Sequence, residues 1–126
     1  MDQKHVLLIE DERNIAEAIR YILMRAGWQV SHAEDGLSGL RQLEAARPDA
    51  VILDLMLPGL SGLEILTRLR AQSDFADLPV LMLTARGQAR DREAAERAGA
   101  TAFLAKPFSN AEVVAVLDQI TTETQI

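Results

Sequence analysis

At 126 residues, with 48% apolar and 25% charged residues, the chain has the size and balance of one folded domain and not of a disordered segment. It contains no cysteine and two histidines, His5 and His32, which excludes disulfides, thiolate catalysis and any Cys- or His-rich metal centre. Any metal it holds must then take oxygen ligands, which favours hard cations such as Mg²⁺, Mn²⁺ or Ca²⁺, and its formal net charge of −6 weighs against nucleic-acid binding, which draws on Lys and Arg to neutralise phosphates.

Apolar runs alternate with helical patterns. Val6-Leu7-Leu8-Ile9 is a continuous apolar run ending in acids, which suits a strand buried on both faces. Ile15, Ala18, Ile19, Ile22, Leu23 and Ala26 form one stripe at helical spacing, stopped by Gly27. Gln29 to Ala33 reads as a weaker strand. Leu37, Leu40 and Leu43 mark a second helix, closed by the Arg47-Pro48 turn. Ala50-Val51-Ile52-Leu53 is a buried strand, followed by a Pro58-Gly59 turn and a helix opening at Gly62 with Leu63, Leu66 and Leu69.

Pro79 to Leu83 is a fourth strand, with proline at its first residue, where a missing N–H is tolerated. A polar, Ala-rich helix spans about Ala89 to Ala98 and stops at Gly99. Thr101 to Ala105 is a short fifth strand. Ser109, with Glu112 three residues on, reads as a capping box opening a last helix that runs to about Ile120. Five strands alternating with five helices predict a parallel sheet covered on both faces, a three-layer α/β/α sandwich. The whole of 1–126 is expected to be one domain, with a core over about 4–120 and a tail or linker start at 121–126. No apolar run approaches the roughly 20 residues needed to cross a bilayer. The N-terminus also lacks a secretory pattern, so a cytoplasmic location with no membrane contact is expected.

The polar residues fall at the strand ends: Glu10 and Asp11 after the first, Asp54 after the third, Thr84 at the fourth, Lys106 after the fifth. Ligands of open parallel sheets bind outside the carboxyl ends of the strands, so three carboxylates, a hydroxyl and an ammonium should converge there. Crowded carboxylates raise one another's pKa unless a cation neutralises them, and an acid-rich pocket of oxygens suits Mg²⁺. Asp54 could then serve as ligand, nucleophile or both. Aspartate accepts phosphoryl groups as an acyl phosphate, and Mg²⁺, Lys106 and Thr84 are the group types that would offset the arriving negative charge.

Four motifs carry a resemblance to the CheY-like response regulator receiver domains of two-component phosphorelays, over Val6 to about Ile120. They are Ile9-Glu10-Asp11-Glu12, Leu53-Asp54-Leu55-Met56-Leu57-Pro58-Gly59 with Gly62, Leu83-Thr84-Ala85, and Ala105-Lys106-Pro107-Phe108. The resemblance implies strand order 2-1-3-4-5, an order on record for this fold. It implies Asp54 as the phosphoacceptor and Glu10 with Asp11 as the acid pair. Mg²⁺, or Mn²⁺ in its place, would be held by Glu10, Asp11, Asp54 and the backbone carbonyl of Met56. It further implies Thr84 and Phe103 as the switch pair, Lys106 as partner of the phosphoryl oxygens, and a cis Lys106-Pro107 bond. Met56 and Arg86 stand where the phosphoryl lifetime is tuned.

The partners implied are a sensor histidine kinase or histidine phosphotransfer protein upstream. Downstream, an unidentified target or output domain would read the face made by the fourth helix, fifth strand and fifth helix. The resemblance implies a phosphoacceptor signalling domain that assists its own phosphorylation and dephosphorylation, not an enzyme with a separate substrate. Glu10 stands where many relatives have Asp, Phe103 where Tyr is common, and Thr101-Ala102 where relatives with DNA-binding output often have two acids.

Two rival functions are set against this one. An Mg²⁺-dependent aspartyl-phosphate phosphohydrolase usually needs a second aspartate two residues past the nucleophile, where this chain has Met56. A flavin-binding module would want a Ser/Thr/Gly phosphate loop where Glu10-Asp11-Glu12 would repel the phosphate. Among the remaining residues, Glu12 reads as a first-turn helix acid, His32 as a surface residue, and Trp28 as packing against the sheet edge.

Overall fold

The computed structural model describes residues 3–84 and 89–123. Strands and helices alternate along it as β1 (His5–Ile9), α1 (Arg13–Arg25), β2 (Gln29–Ala33), α2 (Gly36–Ala45), β3 (Ala50–Asp54), α3 (Gly62–Arg70), β4 (Val80–Thr84), α4 (Ala89–Ala98), β5 (Ala102–Ala105) and α5 (Asn110–Glu123). The five strands are parallel, in order β2-β1-β3-β4-β5, as expected.

The apolar runs become strands because both their faces are covered. Side chains alternate across a strand, so Leu7 and Ile9 join the layer under α2, α3 and α4, while Val6 and Leu8 join the layer under α1 and α5. Every residue of β3 and β4 is buried. Pro79 lies just before β4, and its carbonyl still accepts the Val51 N–H at 2.9 Å, so the missing donor costs the ladder nothing there.

Four details depart from the pattern reading. Leu37 is 57% exposed and Leu43 alone of the three α2 leucines is fully buried. Beside Leu43, the buried side of α2 includes Gly36, where a methyl group would press on Ile65 of α3, and Gly39, where it would press on Ile9 of β1. A 3-10 turn over Ser73–Phe75, absent from the expected elements, buries Phe75 beneath the α3–β4 connection.

The last helix continues past Ile120 to Glu123. Thr121, just past the expected boundary, is buried, and its hydroxyl donates to the Leu117 carbonyl at 2.8 Å. Trp28 packs within the α1–α5 layer and is 3% exposed, with its indole N–H donating to Asp118 Oδ1 at 3.3 Å. Among the described residues no helix is long and apolar enough to cross a membrane.

Candidate functional site

The polar strand ends meet at the carboxyl edge of the sheet. Glu10 continues the β1–β2 ladder by one bond, its N–H donating to the Ala33 carbonyl at 3.1 Å. Asp54 ends β3, and the next N–H, that of Leu55, donates to the Leu83 carbonyl at 2.8 Å. The Lys106 N–H donates to the Thr84 carbonyl at 2.7 Å, holding the end of β5 to the end of β4. The Lys106–Pro107 peptide bond is cis.

The side chains of three of these residues are joined. Lys106 Nζ lies 3.3 Å from Asp54 Oδ2 and 3.4 Å from Glu10 Oε1, so one ammonium bridges two carboxylates. The other oxygen of each acid is held by backbone: Asp54 Oδ1 accepts the Met56 N–H at 3.0 Å, and Glu10 Oε2 accepts the Glu12 N–H at 3.1 Å. Glu10, Asp11 and Asp54 each bring a carboxylate oxygen within 4.8 Å of the others. Glu10 and Asp54 are buried, and Asp11 is exposed at the mouth.

Burial dominates the electrostatics. It penalises the charged form of Glu10, and the neighbouring Asp54 adds to the effect, so the Glu10 carboxyl is pushed up to about 8 against the opposing pull of the Glu12 N–H and Lys106. Burial alone would pull Lys106 down, but Asp54 and Glu10 more than offset it and leave the ammonium above its ordinary value. With three carboxylates around one ammonium, the cluster has room for more positive charge. Its donors are all oxygen, they converge from the ends of β1 and β3, and one of them is open to water. That donor set fits a hard divalent cation such as Mg²⁺.

The other expected site residues are distributed around this cluster. Thr84 is fully buried at the end of β4, one residue beyond the Leu83 that pairs with Asp54, and opposite Ala105 in β5. Phe103 is half-buried against the α2–α3–α4 layer, with the Arg92 guanidinium 5.2 Å from its ring centroid. Beside it, Arg92, Glu96, Val116 and Gln119 border a groove of about 380 Å³ between α4, β5 and α5. The Met56 side chain is 55% exposed. Ala85 and Arg86 lie outside the described residues.

Two residues take places other than those expected. Glu12 is the N-cap of α1 and not a first-turn acid, and its contribution to the site is the N–H given to Glu10. His32 is half-buried, not a free surface residue; its Nε2 lies 2.8 Å from the Glu10 carbonyl oxygen. No local pattern signals that contact, because it joins residues 22 apart. Ser61 and Glu64 form a capping box at the start of α3, with the same Ser-x-x-Glu signature that Ser109 and Glu112 carry before α5.

Residues 6–118 match the family profile of the response regulator receiver domain. The chain belongs to the response regulator receiver domain family. Among curated relatives, this receiver domain is 42% identical over 112 residues to the phosphate regulon transcriptional regulatory protein PhoB of Escherichia coli K12, covering 89% of this chain and 49% of PhoB. The chain thus spans about half the length of the curated relatives it matches.

Among solved structures, chemotaxis protein CheY4 of Vibrio cholerae superposes with a TM-score of 0.89 at 30% identity, covering 94% of this chain and 99% of CheY4. The receiver domain of sensor histidine kinase PA1611 from Pseudomonas aeruginosa PAO1 superposes with a TM-score of 0.88 at 33% identity, covering 96% and 99% of the two chains. That relative was crystallised with a magnesium ion coordinated in its active-site cleft. The receiver domain described here is therefore a two-component signalling module of the CheY-like fold.

Proposed function

We propose that this receiver domain accepts one phosphoryl group on Asp54 from a sensor histidine kinase or histidine phosphotransfer protein. The carrying observation is the Asp54 carboxylate held between Lys106 Nζ and the Met56 N–H at the open edge of the sheet. The bond from imidazole nitrogen to phosphorus breaks, the bond from an Asp54 oxygen to phosphorus forms, and the imidazole leaves with its electron pair. Lys106, drawn off its carboxylate contacts, turns its ammonium to the phosphoryl oxygens, and Thr84 offers its hydroxyl to another of them. The Met56 N–H keeps the attacking carboxylate aimed.

Glu10, Asp11, Asp54 and the Met56 carbonyl are the groups that would hold Mg²⁺, with Mn²⁺ the same in kind. When bound, the ion supplies positive charge against the carboxylates and the arriving phosphoryl group. Phosphorylation is read at the groove between α4, β5 and α5, through Thr84 and Phe103, by a target or output domain. The cytoplasm is the compartment that suits such a relay. The phosphohydrolase reading is not favoured, because the Met56 thioether cannot shuttle a proton for turnover on a separate substrate.

Intact mass spectrometry after incubation with Mg²⁺ and acetyl phosphate tests the reading. The parent should gain one phosphoryl group and Asp54→Asn none, and the parent's amide spectrum should shift with beryllofluoride and Mg²⁺. Equal uptake by both proteins would move the acceptor elsewhere. A parent that neither gains mass nor shifts would overturn the phosphoacceptor reading.

A further inference from the structure

From the 2.8 Å contact between the His32 ring and the Glu10 carbonyl, we infer that His32 is a positioning residue for the acid pair, acting through the backbone and not on substrate or metal. The inference rests on the proposed Mg²⁺-dependent function of the site.

The β1–β2 ladder explains why the contact is needed. Its last bond is the Glu10 N–H to the Ala33 carbonyl, after which the second strand leaves to form the Asp35 cap of α2. Glu10 itself is fully buried, so its carbonyl stands where a strand partner is no longer available. A buried carbonyl left unpaired is costly, and here the His32 ring takes the place of the missing strand N–H. A carbonyl oxygen can only accept, so Nε2 carries the proton and donates. The strand that carries the ring is itself fastened to α2, since the Gln42 side-chain amide donates to the His32 carbonyl at 3.1 Å.

The bond fixes one particular peptide plane, the one joining Glu10 to Asp11. Rotation of that plane would move the whole Asp11 residue relative to Asp54 and to the Glu10 carboxyl. Both acids contribute to the cluster whose oxygens lie within 4.8 Å of one another. His32 thus orients two candidate metal ligands at once, as the partners just outside a metal's ligand shell do elsewhere.

The experiment is made on the parent, His32→Gln and His32→Leu. Glutamine can place an amide N–H close to where Nε2 stands; leucine fills the space with no donor. In the metal-free parent, long-range ¹H–¹⁵N correlation should show the His32 ring as the Nε2–H tautomer. Titration with Mg²⁺ alone, followed by calorimetry, should give His32→Leu a Kd weaker by about tenfold and His32→Gln one within about twofold of the parent. Thermal melts without metal separate a general loss of fold from this effect, because a merely structural role would not distinguish the two variants in Mg²⁺ affinity once both are folded. A Nδ1–H tautomer, a His32→Leu Kd equal to the parent's, or a His32→Gln Kd as weak as that of His32→Leu overturns the inference. A parent that binds no Mg²⁺ overturns the reading of the site, and this inference with it.

Discussion

Lys106 Nζ stands 3.3 Å from Asp54 Oδ2 and makes a second contact with Glu10, so the resting site already holds a cation among its acids. That ammonium competes with a metal ion for the same carboxylates, yet it is the group placed to meet a phosphoryl oxygen. Lys106→Ala should therefore pull the two properties apart. Mg²⁺ affinity should rise a few-fold because the competing charge is gone, while the rate of phosphoryl uptake from acetyl phosphate falls by about 100-fold. Calorimetry and time-resolved mass spectrometry read the two. Loss of both together would mean that Lys106 shapes the pocket more than it stabilises charge.

Glu10 gives the site a pH dependence with a definite sign. Its folded carboxyl titrates at about 8 against an ordinary 4.5, so between those values the metal-free folded state binds more protons than the unfolded chain. Stability of the metal-free protein should fall as pH rises from about 4.5 to about 8 and level off above. Mg²⁺ must displace that proton, so its affinity should climb by up to about tenfold per pH unit well below about 8 and flatten as that value is approached. Glu10→Gln removes the proton and should flatten both profiles. Melts and Mg²⁺ titrations at pH 6, 7 and 8 decide it, and an affinity in the parent that ignores pH would contradict the raised carboxyl.

The strand ends were legible because their chemistry is written in single residues after apolar runs: Glu10, Asp54 and Lys106 needed only the rule that parallel strands present their carboxyl ends together. The contacts that hold those residues in place were not. His32 reaches Glu10 across 22 residues, and the fit of Gly36 and Gly39 against Ile65 and Ile9 depends on how closely α2 approaches α3 and the sheet. Periodicity reports which face of a helix is apolar, and it says nothing of the distance at which that face packs. Glycines have no hydrophobic signature, so the leucine spacing marks the helix without showing that Gly36 and Gly39 lie on its buried side while Leu37 is exposed.

The capping box at Ser61 and Glu64 opens the helix that follows the Asp54 loop. Ser61 Oγ accepts the Glu64 N–H at 3.2 Å and Glu64 Oε1 accepts the Ser61 N–H at 3.3 Å. Ser61→Ala should lower stability by about 1 kcal/mol, seen as a shift in Tm, with phosphoryl uptake nearly unchanged because the capping bonds join only Ser61 and Glu64 to each other. A large loss of uptake would show that fraying of α3 reaches the acceptor loop.

Gly62 is where that loop tolerates no side chain. Its N–H donates to the Leu55 carbonyl at 3.1 Å, and a Cβ added there would collide with the Asp54 carbonyl oxygen and crowd the Leu55 Cα. Both obstacles are backbone, so neither can turn aside, and relief must come from moving the chain just after the acceptor. Gly62→Ala should cost about 1–3 kcal/mol, shift the Asp54 and Met56 amide resonances, and slow phosphoryl uptake several-fold. Gly39→Ala is the matched comparison, because its added methyl meets only the Ile9 side chain. It should lower Tm while leaving uptake within about twofold, since the repacking stays under α2 and the acceptor loop is untouched. If the two variants lost uptake in proportion to their loss of stability, the close approach at Gly62 would be a packing feature only. If Gly62→Ala alone lost it, the missing side chain at residue 62 is what lets Asp54 sit where the Met56 N–H and Lys106 can hold it.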